Sequence, residues 1–435
     1  YGSAQDAIGS VANYFIAHGW TPGMPTHFGV QPGGSAAQTD ELLVPDILPT
    51  FSAANMQARG AVLDEAGARY TGPLALVELQ NGGADNAPYG GFGGVRRARI
   101  SSQCIKRSIR LHPAFAAETG VEPASRTRLL ADAISKRLQE QGKPKEEADT
   151  AASNFVGILL GGMSKNNPLQ SNVLFYVSPE EKDKLTELIL ENWEAALAGD
   201  KQKATLEKAV KDFKKVFEKR TSAPDIAMFG RMLADDPNLN MDAACKVAHA
   251  MSTHRGNMEF GFFTAVDDLQ EKEQTGAAMM GVLGFNAATF YRYANINFEQ
   301  LVKNLDENRE LALRAVRGFL EASALAIPSG KQTSFAAQNP PSFLLAVIRK
   351  DGNSWSLANA FEKPVSTGRD MSLLEASIAA LDDYWGNLQD FVQDDAQPYV
   401  TTLGTDAALN NLKNALVPGL NSWIEKVTAE IEKGV

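Results

Sequence analysis

The chain has 435 residues, a formal net charge of −10, 44% hydrophobic and 22% charged residues. This is globular composition for two or three domains, and the acidic balance excludes a protein that coats nucleic acid over its whole surface, so any nucleic-acid site must be a groove. Two cysteines, Cys104 and Cys245, exclude a disulfide framework and a four-cysteine metal site and fit a reducing compartment. No apolar run approaches the roughly 18 to 20 residues of a membrane span, so a cytoplasmic chain with no membrane partner is expected.

The first segment stands apart in charge. Through Gly91 there are only two basic residues, Arg59 and Arg69, against eight acids, and the rest of the chain carries the other forty Lys and Arg. SAQDAIGSVANYFIAHGW places Ile8, Val11, Ala12 and Phe15 at helical spacing behind a Ser3 or Asp6 cap, which predicts a short amphipathic helix. LALVELQ, 74–80, reads as one buried strand, and the glycine-rich NGGADNAPYGGFGG, 81–94, as a junction where composition changes.

Next comes FGGVRRARISSQCIKRSIR, 92–110, with six Arg or Lys and no acid among nineteen residues. VRRARI alternates as a strand, so Arg97 and Arg99 share one face while Arg96 points with Ala98 and Ile100. Ser101 or Ser102 caps the helix that follows, which Pro113 limits, and its free N–H groups form a phosphate seat. Gln103, Lys106, Arg107 and Arg110 fall at i, i+3, i+4, i+7 as a polar stripe opposite a buried stripe of Ile105 and Ile109. Gly93 and Gly94 allow a close backbone approach before the strand. Convergence of strand, cap and stripe suits a sugar-phosphate backbone better than a single carboxylate; the bland alternative is a solvated basic helix.

Residues 124–220 read as helices: RTRLLADAISKRLQEQ, SPEEKDKLTELILENWEAALAG and KATLEKAVKDFKKVFEKR. Their charged faces are solvated surfaces laced by i to i+4 pairs worth a few tenths of a kcal/mol each. Further on, SFLLAVI, 342–348, is strand-like and ENRELALRAVRGFLEASALA helical.

The basic element resembles the one near the start of the type I-E CRISPR Cascade backbone subunit family, CasC. FGRML (229–233), KVAHAMSTHR (246–255), FFTAVDDLQ (262–270), FYRYANIN (290–297), IPSGKQTSFAAQNP (327–340) and LANAFEKPV (357–365) follow in the family's order, so the resemblance covers about 92–435. It implies an α+β fold: a modified RRM (ferredoxin-like) palm beginning at 89–123, a helical fingers-like insertion at 124–224, and the rest of the palm at 225–435 with a thumb loop near 256–288. It further implies a non-catalytic chain, without metal or other cofactor, that polymerises with copies of itself and other Cascade subunits along a CRISPR guide RNA and meets target DNA through the guide. Carried over from the family, Ser101, Gln103, Lys106, Arg107 and Arg110 would grip guide-RNA phosphates, and Arg96, Arg97, Arg99 and Ser102, from the strand and cap, complete the RNA-binding set expected of the basic element. Met232 would pack at a displaced nucleotide, and Phe262, Phe263 and Thr264 would lie at the thumb contacts. A core strand is the alternative for FFTAV.

Residues 1–88 do not share this resemblance. SAQDAIGSVANYFIAHGW and GPLALVELQNGG resemble the C-terminal portion of lytic transglycosylase B, without the catalytic glutamate that lies upstream in that family, so no glycosidase activity is expected. The alternative function is a peptidoglycan lytic transglycosylase fragment or wall-binding module. The palm's own first strand is missing, and LALVELQN is a candidate replacement.

Other constellations are weaker. His249 and His254 are five apart, not the four that put two ligands on one helical face, and read as structural or RNA-adjacent. Cys104 has no His or Asp partner placed by sequence for nucleophilic catalysis. Asp267 and Asp268 would face opposite ways on a strand, against a metal-dependent nuclease. PSGKQT lacks the spacing of a phosphate loop.

Overall fold

The computed structural model describes residues 30–32, 38, 42, 50–72, 74, 89–233, 237–257, 259–265, 279–367 and 371–434. It divides into two units, 1–81 and 82–435. The amphipathic helix expected at 3–20, most of the strand expected at 74–80, and Asp267 and Asp268 lie outside the described residues.

In the first unit β1 (Val30–Pro32) pairs antiparallel with β2 (Ala61–Leu63). Ser52 caps α1 (Ala53–Ala58) by accepting from Asn55 N, and Asp64 caps α2 (Glu65–Arg69) by accepting from Gly67 N at 2.7 Å. Leu42, Met56 and Ala61 form its core with Phe51, Leu63 and Leu74, and Leu74 is bridged to Phe51.

The second unit starts with strands β3 (Tyr89–Phe92) and β4 (Val95–Ile100), joined by Gly93 and Gly94 at φ of 61° and 74°. Two successive positive φ values give a tight hairpin whose twist matches its strands. Residues 89–94 are therefore strand and turn, and the expected junction is shortened at its C-terminal side. The chain continues through α3 (Ser102–Arg110), α4 (Pro113–Thr119), β5 (Ser125–Thr127), α5 (Leu130–Glu140) and α6 (Lys145–Leu159). β6 (Phe175–Val177), α7 (Pro179–Glu191), α8 (Trp193–Ala198), α9 (Lys203–Val216) and α10 (Pro224–Phe229) follow. Helices α5 to α9 share one core built on Leu130, Ile134, Phe155, Leu185 and Phe213, which the short β5–β6 pair joins through Phe175. The expected helix at 124 thus opens as a strand, Ser125–Thr127, before α5. A capping box, Ser178 with Glu181, starts α7. Lys136–Asp132 and Lys203–Glu207 are among the predicted i to i+4 pairs.

Beyond α10 come β7 (Cys245–Val247), β8 (Ala250–Ser252), β9 (Glu259–Ala265), β10 (Met279–Phe285), β11 (Phe290–Tyr291) and β12 (Ala294–Ile296). Then α11 (Phe298–Asn304), α12 (Arg309–Leu325), β13 (Phe343–Ile348), α13 (Leu373–Val392), β14 (Gln397–Thr402) and α14 (Leu420–Gly434) complete the chain. The central sheet is antiparallel, in the order β11-β8-β4-β3.

Alternation along these strands splits the packing between two layers. Ile100, Ala250 and Phe290 join Ile105, Ile109, Phe115, Met228, Val316 and Phe319 from α3, α4, α10 and α12. Their neighbours Met251 and Tyr291 pack instead against Phe361, Ile378 and Trp385. The SFLLAVI strand, β13, pairs with β14 over its whole length.

Candidate nucleic-acid interface

The basic element folds as a strand followed by a capped helix. Ser101 Oγ accepts from Gln103 N at 3.3 Å, while Ile105 and Ile109 are buried at 3% and 1% exposure. Gln103 and Arg107 are exposed and Lys106 is half-buried. Among the described residues neither Lys106 nor Arg107 forms an ion pair. Burial pushes the Cys245 thiol on β7 up to about 12, with the Lys106 charge acting against it, which sets Lys106 beside that strand.

Three expectations are corrected by this geometry. Arg97 does not line a surface: it is 1% exposed, and its guanidinium donates to the carbonyls of Phe92, Ser252, Phe361 and Glu362 at 3.2, 3.2, 2.6 and 3.2 Å. A charge so enclosed is held because four of its five N–H donors are directed at carbonyl oxygens. Arg110 also turns inward. Its side chain is 12% exposed and lies 3.7 Å from Asp225, over the Tyr176 ring, donating to Ala124 O at 2.8 Å. The phosphate seat at the start of α3 is occupied by the protein itself, because Ser102 N donates to His249 Nδ1 at 3.0 Å and Gln103 N to the Ser101 cap. The close backbone approach at Gly93 is likewise internal: a Cβ there would lie 1.7 Å from Glu362 O.

What remains is a ledge. Arg107, Lys106 and Gln103 stand on α3, with Ser101, Ser102 and His249 at its start. Arg99, half-buried, lies on β4 two residues before Ser101, on the strand face shared with Arg97 rather than the one α3 covers. Arg96 is half-buried and its carbonyl accepts from Gly256 N at 2.8 Å, which ties β4 to the segment leading into β9.

Phe262, Phe263 and Thr264 lie on β9, in register with Val282, Gly281 and Met280 of β10. Among the described residues this ribbon pairs only with itself and not with the central sheet, unlike the core-strand alternative. Its foot is fastened by His254, whose Nε2 accepts from Thr289 N at 3.2 Å while Nδ1 donates to Arg255 O at 2.8 Å. Phe285 at the end of β10 meets Phe335 with ring centroids 5.4 Å apart. Both histidines are thus bonded to backbone, and no group of three potential ligands is placed to hold a metal among the described residues.

Met232 is 86% exposed, although its neighbours are fixed. Arg231 exchanges backbone hydrogen bonds with Met241, and Leu233 N donates to Asn240 Oδ1 at 2.5 Å. The sequence marked Met232 but not Arg231, whose buried pairing with Glu181 sets the loop; no spacing rule links positions fifty residues apart. The sequence reads His249 as structural or RNA-adjacent without naming its partner, because the bond to Ser102 depends on a strand register that the motif does not encode.

An α+β chain with helices over small antiparallel sheets is the class that emerges, and solved structures share it. A chain described as "CRISPR RNA-guided surveillance complex, pre-nicking" is 30% identical, with 81% of this chain and 96% of that chain covered and a TM-score of 0.68. Another, described as "CRISPR RNA-guided surveillance complex", is 26% identical, with 81% and 95% covered and a TM-score of 0.60. Residues 87–426 match the family described as CT1975-like protein, and residues 1–84 match the Transglycosylase SLT domain. No curated protein sequence matches. The chain belongs to the CT1975-like protein family, the CasC-like family of CRISPR Cascade.

Proposed function

We propose that the chain is a guide-RNA-binding backbone subunit of a type I-E CRISPR Cascade complex. In this reading the central sheet belongs to an RRM-like palm, 124–224 are the fingers and 256–288 the thumb. The observation that carries it is the extent of the likeness, 96% of a surveillance-complex chain at 30% identity. Copies of the chain line up along the guide with the other Cascade subunits, in the cytoplasm, and the guide meets target DNA. Arg96, Arg99, Ser101, Ser102, Gln103, Lys106 and Arg107 hold phosphates. Met232 and the ribbon bearing Phe262, Phe263 and Thr264 meet displaced nucleotides, where an apolar or aromatic platform is worth about 1 to 3 kcal/mol per base. Selectivity comes from guide–target pairing, so the protein needs only backbone and shape, and an acidic chain with one basic ledge meets that need.

Electrophoretic shifts with CRISPR RNA at graded salt test this. Affinity should fall with salt, because bound cations displace counterions from the strand. Binding that ignores salt, or that survives removal of the charges at both Lys106 and Arg107, overturns it.

The match of residues 1–84 to a transglycosylase domain favours a second reading, a peptidoglycan enzyme or wall-binding fragment. We propose instead that the chain is not an enzyme. Incubation with purified murein decides: release of anhydro-muropeptides overturns the non-enzymatic reading.

A further inference from the structure

We propose that His249 is a direct RNA-phosphate contact, donating from Nε2. The inference rests on the reading of α3 as the guide-RNA ledge and adds a residue from another strand to it. A backbone N–H can only donate, so the Ser102 N–His249 Nδ1 bond at 3.0 Å leaves the lone pair on Nδ1 and the proton of the neutral ring on Nε2. His249 is exposed, and among the described residues Nε2 has no partner within the protein. Its place is fixed by the sheet. Arg99 pairs with Met251 and Ile100 with Ala250, so the same antiparallel register sets His249 across from Ser101, where strand becomes helix. Gln103 and Arg107, both exposed, stand on the first two turns of that helix.

The choice of residue type discriminates between roles. To satisfy Ser102 N alone, an Asn or Asp would serve, and Asp would also suit the positive end of the helix. A carboxylate there would repel a phosphate. Histidine accepts on one side and donates on the other, so the N–H dipole of the helix start polarises the ring and is passed on to an outward donor. The helix start therefore reaches a phosphate through the imidazole and not through its own amide groups.

Two substitutions separate the two nitrogens. H249N keeps an acceptor for Ser102 N, but its NH2 donor falls short of the Nε2 position; H249Q keeps a donor near the Nε2 position and lacks the inner acceptor. Each is compared with the native full chain by anisotropy of a fluorescein-labelled single-stranded RNA, at a temperature where thermal melting shows every variant folded. H249N should bind about tenfold more weakly, with the salt dependence unchanged because a neutral ring displaces no counterion. H249Q should bind more tightly than H249N. Native affinity in H249N, or the reverse order of the two, overturns the proposal. The variant lacking both Lys106 and Arg107 charges is measured alongside: if it weakens and H249N does not, His249 alone is wrong, and if it too binds as native, the ledge itself is wrong.

Discussion

The guanidinium of Arg231 lies 2.5 Å from Oε1 of Glu181, with 1% and 0% of the two side chains exposed. Arg231 also donates to Leu239 O at 2.7 Å and Tyr176 O at 3.1 Å, while Glu181 Oε2 accepts from Ser178 N at 2.7 Å in the capping box of α7. One ion pair thus holds the loop presenting Met232 to the helices. Removing one partner leaves the other buried and uncompensated, so E181Q should cost about 3 to 5 kcal/mol. Replacing both by apolar residues of similar volume should recover much of that loss, as urea melts would show.

The hairpin turn supplies a paired test. At Gly93, φ is +61° and a Cβ would lie 1.7 Å from Glu362 O; at Gly94, φ is +74° and nothing lies within 4 Å. G94A should cost only the left-handed strain, about 1 to 2 kcal/mol. G93A must also push back the segment whose carbonyls hold Arg97, and should exceed about 4 kcal/mol. Equal losses in the two variants would refute the close packing of the turn against Glu362.

Asp149 on α6 gives a pH test. Burial pushes its carboxyl up, but hydrogen bonds from Lys145 and Ser135 outweigh this and hold it below the ordinary 3.8. A folded-state pKa below the unfolded one contributes stability that is present above 3.8 and is lost as pH falls through the folded value. Urea midpoints taken from neutral to strongly acidic pH should therefore fall less steeply in D149N than in the native chain.

The legible parts of the molecule were those whose cause is local. Ile105 and Ile109 on one stripe, a cap at Ser101 or Ser102 and a strand within 342–348 follow from spacing and end chemistry within a dozen residues. The fates of Arg97 and Arg110 were not legible, because an arginine is exposed or enclosed according to carbonyls and carboxylates from remote segments: Phe361 and Glu362 for one, Asp225 for the other. The glycines before β4 mark a close approach in the sequence, but the approaching group, Glu362 O, belongs to a distant loop. Likewise the start of α3 looked open in sequence and is closed by His249 from β8's approach.

Arg97 and Arg107 stand ten residues apart in one basic run and should fail in opposite ways. Arg97 directs its donors at four carbonyls inside the fold, whereas Arg107 is exposed on α3 without an ion pair among the described residues. R97L leaves several buried acceptors without a donor, each costing about 1 to 3 kcal/mol, so its melting temperature should drop sharply. The protein that remains folded should keep the native dependence of RNA affinity on salt, since no phosphate contact has been removed. R107A should melt as the native chain does, yet lose about 0.7 from the slope of log affinity against log salt, the value for one contact to a single strand. Thermal melting and salt titration on the same two variants check both halves, and a lowered slope in R97L would return Arg97 to the RNA face.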